Sequence, residues 1–245
     1  MIKVGCCGWR YFRPKRVIGL DWKSRYKSVL QAYASMFSLV EVNSTFYKLP
    51  KETTAERWYN EAAEANRDFE FTVKVNRKIT HDDMFGKESY EVMENVKEVA
   101  EALKAKVLLF QTPPGFKPTT SNKRKMVEFF KTVDLSDFIP VWEPRGRWWS
   151  QPESILRICR RFDITTVVDP FHYDPVYVNE SGVCYLRLHG LNRRRMYDYK
   201  FTKDDLIKLK TKVLRYDYDR VYVLFNNIYM YQDAGEFIRI LNNEF

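Results

Sequence analysis

The fold class is decided by two stretches, Leu39-Val40-Glu41-Val42-Asn43 and Phe71-Thr72-Val73-Lys74-Val75-Asn76. Both are rich in β-branched residues, and their polar residues alternate with valines, so each stretch presents a polar face and an apolar face. A longer segment with apolar residues at helical spacing follows each one. A short strand followed by a helix, repeated along a chain, indicates parallel strands joined by βαβ crossovers.

The same succession runs through all 245 residues. We predict eight strands, at 2–8, 38–43, 69–75, 106–111, 138–143, 165–169, 183–189 and 220–226. Helices are predicted near 24–37, 53–65, 88–104, 121–132, 151–162, 202–216 and 233–242. Capping residues support three of the helix starts: Thr53, Ser121 and Thr202. Only the connection between strands six and seven, 170–182, lacks a helical pattern.

Eight such units in 245 residues match a (β/α)₈ barrel, which typically has ~250 residues. A doubly wound open sheet would need a G-x-G-x-x-G loop after the first strand, and this chain has Gly5-Cys6-Cys7-Gly8-Trp9-Arg10 there. We see no linker, internal repeat or composition shift. The prediction is a single α/β domain over residues 1–245, a TIM-like barrel of parallel strands with one irregular unit between strands six and seven.

Composition restricts the class of protein further. No apolar run approaches the ~18–20 residues of a membrane span, and the N-terminus shows no signal-peptide pattern. The four cysteines, Cys6, Cys7, Cys159 and Cys184, have no C-x-x-C spacing. Cys6 and Cys7 are adjacent and should point to opposite faces of a strand, as free core thiols in a reducing compartment do. We expect a soluble, cytoplasmic protein with no membrane partner.

Polar side chains end seven of the eight predicted strands. In a barrel of this type the carboxyl ends of the strands form the mouth, where chemistry takes place. We predict a charged ring of six catalytic residues at this mouth: Glu41, Lys74, Glu143, Asp169, Arg187 and His189. A closed structural ion network would also explain the ring, because buried charges must be paired. A single divalent ion held by Glu41, Glu143, Asp169 or His189 is a further hypothesis, which no spacing in the sequence signals.

Three loops account for the net charge of +9. Residues 10–16 carry four positive charges, residues 145–149 two, and residues 192–200 a net three. We call these the rim loops, since each follows a predicted strand. Basic residues interleaved with aromatic ones are typical of nucleic-acid binding. The predicted substrate-binding residues, at the rim and the strand ends, are Trp9, Arg10, Asn43, Tyr47, His81, Gln111, Arg145, Trp148, Trp149, Arg193, Arg194, Arg195, Asn226 and Asn227.

The sequence also resembles a known family. The resemblance rests on motifs spread in order along the chain: Gly8-Trp9, Val40 to Tyr47, Pro50, Trp58, Lys74, Ile79-Thr80-His81, Phe110-Gln111, Pro113-Pro114, Glu143, Arg145, Trp148-Trp149, Arg187 to Gly190, and Phe225-Asn226-Asn227. These are similar to the signature of domain-of-unknown-function family 72. Membership implies a TIM-like barrel and carries no assigned activity.

Three functions remain open. The first is a hydrolase that cleaves DNA or RNA, and one form of this hypothesis places the cleavage at damaged or flipped bases. Its carboxylates would activate water or hold a metal, Arg187 and Lys74 would stabilise the developing phosphorane, and tryptophans would stack on bases. The second is an isomerase or lyase for a small phosphorylated or sugar-like ligand, using Lys74 beside Glu41. The third is a nucleic-acid-binding protein without turnover. We favour the first, because the rim loops hold arginines where a small-substrate barrel usually has a glycine-rich phosphate loop.

Overall fold

The computed structural model describes residues 1–192 and 195–243. Within them, eight strands form one parallel sheet: β1 (Ile2–Cys6), β2 (Leu39–Val42), β3 (Glu70–Lys74), β4 (Val107–Gln111), β5 (Ile139–Glu143), β6 (Thr165–Thr166), β7 (Val183–Leu188) and β8 (Arg220–Phe225). Their order is β6-β5-β4-β3-β2-β1-β8-β7. A parallel bridge between Val168, two residues after β6, and Leu186 of β7 links the two ends of this order. The chain is therefore an α/β barrel, nearly closed, as the alternation predicted.

The described helices are α1 (Pro14–Val17), α2 (Trp22–Arg25), α3 (Val29–Ala34), α4 (Glu52–Ala65), α5 (Glu88–Ala102), α6 (Thr120–Thr132), α7 (Pro152–Phe162), α8 (Lys203–Val213) and α9 (Met230–Leu241). The helix predicted over 24–37 is wrong as one piece, because Ser28 caps a new helix and Tyr26 is extended. Residues 170–182 contain no described helix, as expected. None of the described helices is long and apolar enough to cross a membrane.

Two of the three predicted capping residues are also wrong. The helix at Thr53 begins after Lys51 without a side-chain cap, and the Oγ1 atom of Thr119, not Ser121, accepts the backbone N–H of Asn122 at 3.2 Å. Thr202 forms the expected capping box with Asp205. An acidic residue at the third position does not by itself make a cap, since Thr53 is followed by Glu56 in the same way and lies inside α4.

The apolar core has two layers, separated by the wall of the barrel. The larger layer packs the outer strand faces against the helices and contains Cys6. The smaller one fills the barrel and contains Leu39, Leu109, Val141, Val167, Tyr185, Leu224 and Cys7. The neighbouring cysteines therefore do lie on opposite faces. Gly5 lies in the wall and has no room for a side chain, since a Cβ atom there would lie 1.9 Å from the Leu39 carbonyl oxygen.

Candidate active site at the mouth of the barrel

The inner layer of the core determines where the polar strand ends point. Side chains two residues apart on a strand share a face. Glu41 therefore follows Leu39 on the inward face, and five other polar residues follow inward residues in the same way: Gln111, Glu143, Asp169, Arg187 and Asn226. All these strands are parallel. Their polar ends consequently face the C-terminal mouth.

Arg187 joins two carboxylates at the centre of this mouth. Its Nε and Nη2 atoms donate to the two oxygens of Glu41 at 3.0 and 2.8 Å, and its Nη1 atom donates to Glu143. The Sγ atom of Cys7 lies 3.6 Å from Nη2. Only 1% of Arg187 is exposed. The guanidinium is a buried bridge, since the planar group meets Glu41 with two parallel hydrogen bonds.

Glu41 has no oxygen left for water or metal. Besides Arg187, it accepts hydrogen bonds from the Tyr185 hydroxyl at 2.8 Å and from Asn43 Nδ2 at 2.7 Å. Burial opposes its ionisation, but Arg187 and Lys74 outweigh burial and hold its pKa below the usual value. Two hydrogen bonds on each oxygen fill the accepting capacity of a carboxylate. Glu41 therefore serves as the counter-ion of Arg187.

Glu143 is held by two arginines. Its Oε1 atom lies 2.6 Å from Arg145 Nη2, and its Oε2 atom accepts from Arg187. Burial works against the charged form, yet the two guanidinium groups, with His189 and Lys74, lower its pKa to about 2. A carboxylate with so low a pKa is a weak base at neutral pH.

His189 lies between Asp169 and Arg145. The backbone N–H of His189 donates to Asp169 Oδ2 at 3.0 Å, and the ring Nδ1 lies 3.6 Å from the same oxygen. Arg145 Nη2 lies 2.8 Å from His189 Nε2. A guanidinium can only donate, so we assign Nε2 as the acceptor and place the ring proton on Nδ1, toward Asp169. Burial lowers the pKa of His189, and the imidazole is neutral at pH 7.

Lys74 approaches the mouth from β3. Its Nζ atom donates to Gln111 Oε1 at 2.7 Å and lies 4.2 Å from the centre of the Phe46 ring. The side chain is 8% exposed. Burial, together with the positive charge of Arg187, lowers its pKa to about 8. Lys74 is thus an ammonium group that can release its proton near neutral pH.

The charged ring does not suit a metal ion. Among residues 1–192 and 195–243, no three His, Cys, Asp or Glu side chains are grouped so as to hold one. The oxygens of Glu41 and Glu143 are taken by guanidinium groups, and those of Asp169 accept backbone N–H groups of Phe171 and His189. A hard divalent ion needs several such oxygens at once. We therefore derive no step through a metal.

The family model described as "Protein of unknown function DUF72" matches residues 3–245. This chain belongs to that family. The curated relative UPF0759 protein YunF of Bacillus subtilis (strain 168) is 26% identical over 170 residues, which cover 62% of this chain and 53% of that protein. The match therefore spans about half the length of the relative.

Solved structures of the family share the fold. A DUF72 protein of Thermotoga maritima MSB8 is 25% identical, with a TM-score of 0.74 and 99% of both chains covered. Two more distant barrels, SacUVDE and a D-psicose 3-epimerase, reach TM-scores of 0.62 and 0.61 at 7% and 9% identity. Both likenesses cover 99% of this DUF72 chain. They cover 99% of SacUVDE and 96% of the epimerase. At such low sequence identity, the structural likeness shows only a common fold.

Several predicted substrate-binding residues of this DUF72 chain lie at the mouth. Arg10 and Tyr47 are exposed, and Asn226 lines a cavity there. Trp149 stacks on Tyr173 with the ring centres 3.9 Å apart and the planes at 5°. His81 is half-buried beside Phe46, and burial and Lys74 lower its pKa to about 4. Arg195 is exposed, while Arg193 and Arg194 lie outside the described residues.

Other predicted binding residues are used by the fold instead. Trp148 is fully buried, its indole N–H donates to the Phe116 carbonyl, and it has no face for a base. Asn227 donates its amide to the Tyr199 carbonyl and to Asp233, and it also lines the cavity at the mouth beside Asn226. Trp9 packs edge-on against Trp58 at 5.0 Å in the outer layer. Arg145 belongs to the ion network through Glu143 rather than to an open rim.

The sequence prediction missed three contributors to the mouth. Tyr185 lies two residues before Arg187 on the same face, which the alternation would have shown. Cys7 fills the inward position at the end of β1. Phe46 contacts Lys74 only because a short 3₁₀ turn, Ser44–Phe46, follows β2. No periodic signal in the sequence announces such a turn.

Proposed function

We propose that this chain cleaves phosphodiester bonds of single-stranded nucleic acid, with His189 as the general base and Lys74 as the general acid. The observation that carries the proposal is the position of His189, with Nδ1 3.6 Å from Asp169 Oδ2 and Nε2 2.8 Å from Arg145 Nη2. Neutral histidine and charged lysine form a complementary pair near pH 7, where each has the protonation state that its role requires.

Each residue has a defined task. The attacking hydroxyl or water displaces Arg145 Nη2 from His189 Nε2, which then accepts its proton, while Arg145 stays paired with Glu143. The bond from phosphorus to the leaving sugar oxygen breaks, and Lys74 Nζ gives that oxygen its proton. Asp169 positions the imidazole and stabilises its charged form, as a carboxylate does in a catalytic triad. Arg187 keeps Glu41 and Glu143 paired throughout.

The surroundings support a nucleic-acid substrate. Positive side chains of the rim loops bind phosphates, and the stacked pair Trp149 and Tyr173 offers a platform for bases. The carboxylates Glu41 and Glu143, which the sequence prediction gave the task of activating water, are counter-ions here because arginines hold their oxygens.

The test is cleavage of fluorescent single-stranded DNA and RNA oligonucleotides in the presence of a chelator. We expect His189→Gln and Lys74→Met each to lower kcat by ~10²–10⁴-fold, the usual contribution of a positioned acid or base. His172→Gln is the matched control: His172 also lies 3.6 Å from Asp169 but is exposed. It should keep the wild-type rate. Intact oligonucleotides with the wild-type protein, or unchanged rates in both variants, would refute the proposal.

Lys74 also favours a second candidate function. An amine with a pKa of about 8, beside Phe46 and Gln111, is suited to attack a carbonyl carbon. The substrate would be a small phosphorylated sugar, and loss of water would leave an imine on Nζ. Borohydride reduction in the presence of ribose 5-phosphate should then add a fixed mass at Lys74, which Lys74→Arg abolishes. If no adduct forms, this candidate is excluded.

A further inference from the structure

A cavity of about 570 Å³ opens beside the charged ring, between the loops that follow β1, β7 and β8. Its lining includes Arg13, Arg16, Tyr11, Tyr197, Cys7 and Asn226. The volume lies within the ~300–1,000 Å³ of small-molecule sites. None of the steps proposed for His189 and Lys74 uses this space.

The charge of the cavity indicates an anionic ligand. Arg13 directly precedes α1 and Arg16 lies within it, and both line the cavity. Within residues 1–192 and 195–243, neither arginine has an ion-pair partner, and no carboxylate lines the cavity. Unpaired arginines on a concave surface are suited to a phosphate group, which they can bind with paired hydrogen bonds.

The aromatic residues indicate what the phosphate is attached to. Tyr11 and Tyr197 line the cavity and are 66% and 47% exposed. Val17 and Ile228, also exposed, extend this apolar rim. Exposed tyrosine faces beside a phosphate site provide stacking surfaces for a base. The combination fits a nucleoside monophosphate better than a bare phosphate or a sugar phosphate.

The cavity is continuous with the proposed catalytic residues. The Tyr197 ring lies 5.5 Å from the His189 ring in an edge-on arrangement. Cys7, in the cavity wall, contacts Arg187. We propose that the cavity is a subsite for one nucleotide unit next to the cleaved bond, with Arg13 and Arg16 on its phosphate and Tyr11 and Tyr197 at its base. This role rests on the proposed phosphodiester cleavage.

Calorimetric titration of the full chain tests the subsite without turnover. The probes are inorganic phosphate, ribose 5-phosphate and AMP, and we expect affinity to rise in that order. Arg13→Met/Arg16→Met should weaken the binding of AMP by at least ~tenfold, as two charged hydrogen-bonding groups are removed. Tyr197→Ala should bring the affinity for AMP down to that for ribose 5-phosphate. The control is Lys15→Met, since Lys15 is an exposed cation of α1 that does not line the cavity.

The outcomes distinguish a failure of the nucleotide subsite from a failure of phosphodiester cleavage. If the double variant binds AMP like the wild type, or if Lys15→Met weakens AMP binding as much as an arginine variant, the subsite is refuted. If AMP binds as expected but oligonucleotides stay intact, the subsite holds and phosphodiester cleavage fails. If oligonucleotides are cleaved while AMP does not bind the wild type, the subsite alone fails. All substituted residues are exposed, so circular dichroism should show unchanged folding.

Discussion

Lys74 provides the sharpest prediction for a single residue. With a pKa of about 8, Lys74 loses its proton as the pH rises above 8 and stops acting as an acid. Lys74→Arg keeps its cation far beyond that range, because the pKa of arginine exceeds ~12. We therefore expect kcat/KM of the wild type to fall above pH 8 and the residual activity of Lys74→Arg not to fall there. An identical alkaline limb in both proteins would mean that another group titrates.

Arg187 provides a prediction on stability. Arg187→Met leaves the buried carboxylates of Glu41 and Glu143 without their bridge. Breaking a buried pair on one side costs ~3–5 kcal/mol of unfolding free energy, measurable by urea denaturation at pH 7. Adding Glu41→Gln to this variant should restore part of that stability. A decrease below ~1 kcal/mol would show that the charges do not depend on Arg187.

The same carboxylates set an acid limit. Their pKa values are lowered in the folded protein, Glu143 to about 2 and Glu41 below its ordinary 4.5. The stabilisation that these carboxylates contribute is fully present above their pKa in the unfolded chain. It is lost as the pH falls through their pKa in the folded protein. We expect the unfolding free energy of the wild type to decline from about pH 4.5 toward pH 2. In Glu143→Gln the decline should be shallower.

The polar residues of the ring were readable from the sequence because strands have a period of two. Glu41, Glu143 and Arg187 follow apolar inward residues at a spacing of two, and that spacing fixes their face before any contact is known. The same spacing could not show which of the adjacent Trp148 and Trp149 is buried. They belong to a short 3₁₀ helix, Gly146–Ser150, in which only packing against Phe116 and Trp142 decides which ring is buried.

At the scale of elements, long segments were predictable and their ends were not. Tyr26 interrupts the helix predicted over 24–37, and the capping residue of α6 lies two positions before the expected Ser121. Thr119→Ala should therefore lower the free energy of unfolding by ~1 kcal/mol, because the Asn122 N–H no longer has its side-chain acceptor. Ser121→Ala, the matched control in the first turn, should change it little. Equal decreases would show that α6 starts where the sequence pattern placed it.

For the whole molecule, the distribution of charge is the decisive property. The rim loops carry a charge equal to the net charge of the chain, so the charges of all other residues sum to zero. Sequence showed this asymmetry because loops that follow parallel strands lie at one end of a barrel. The sequence did not show which of these cations are free to bind a ligand. Arg145 is paired with Glu143, whereas Arg10, Arg13 and Arg16 are exposed.

That arrangement predicts that binding of single-stranded nucleic acid depends on where the positive charges lie, and not on the total charge of the protein. Replacing Arg10, Arg13 and Arg16 with methionine should weaken binding of an oligonucleotide and flatten the log–log dependence of affinity on salt by up to ~2, at ~0.7 for each phosphate that is no longer neutralised. The control replaces three cations on or after α8, Lys208, Lys212 and Arg215, and lowers the net charge equally. It should leave the salt slope unchanged in fluorescence anisotropy. If both triple variants flatten the slope alike, nucleic acid is attracted by the overall charge and the mouth is not its binding site.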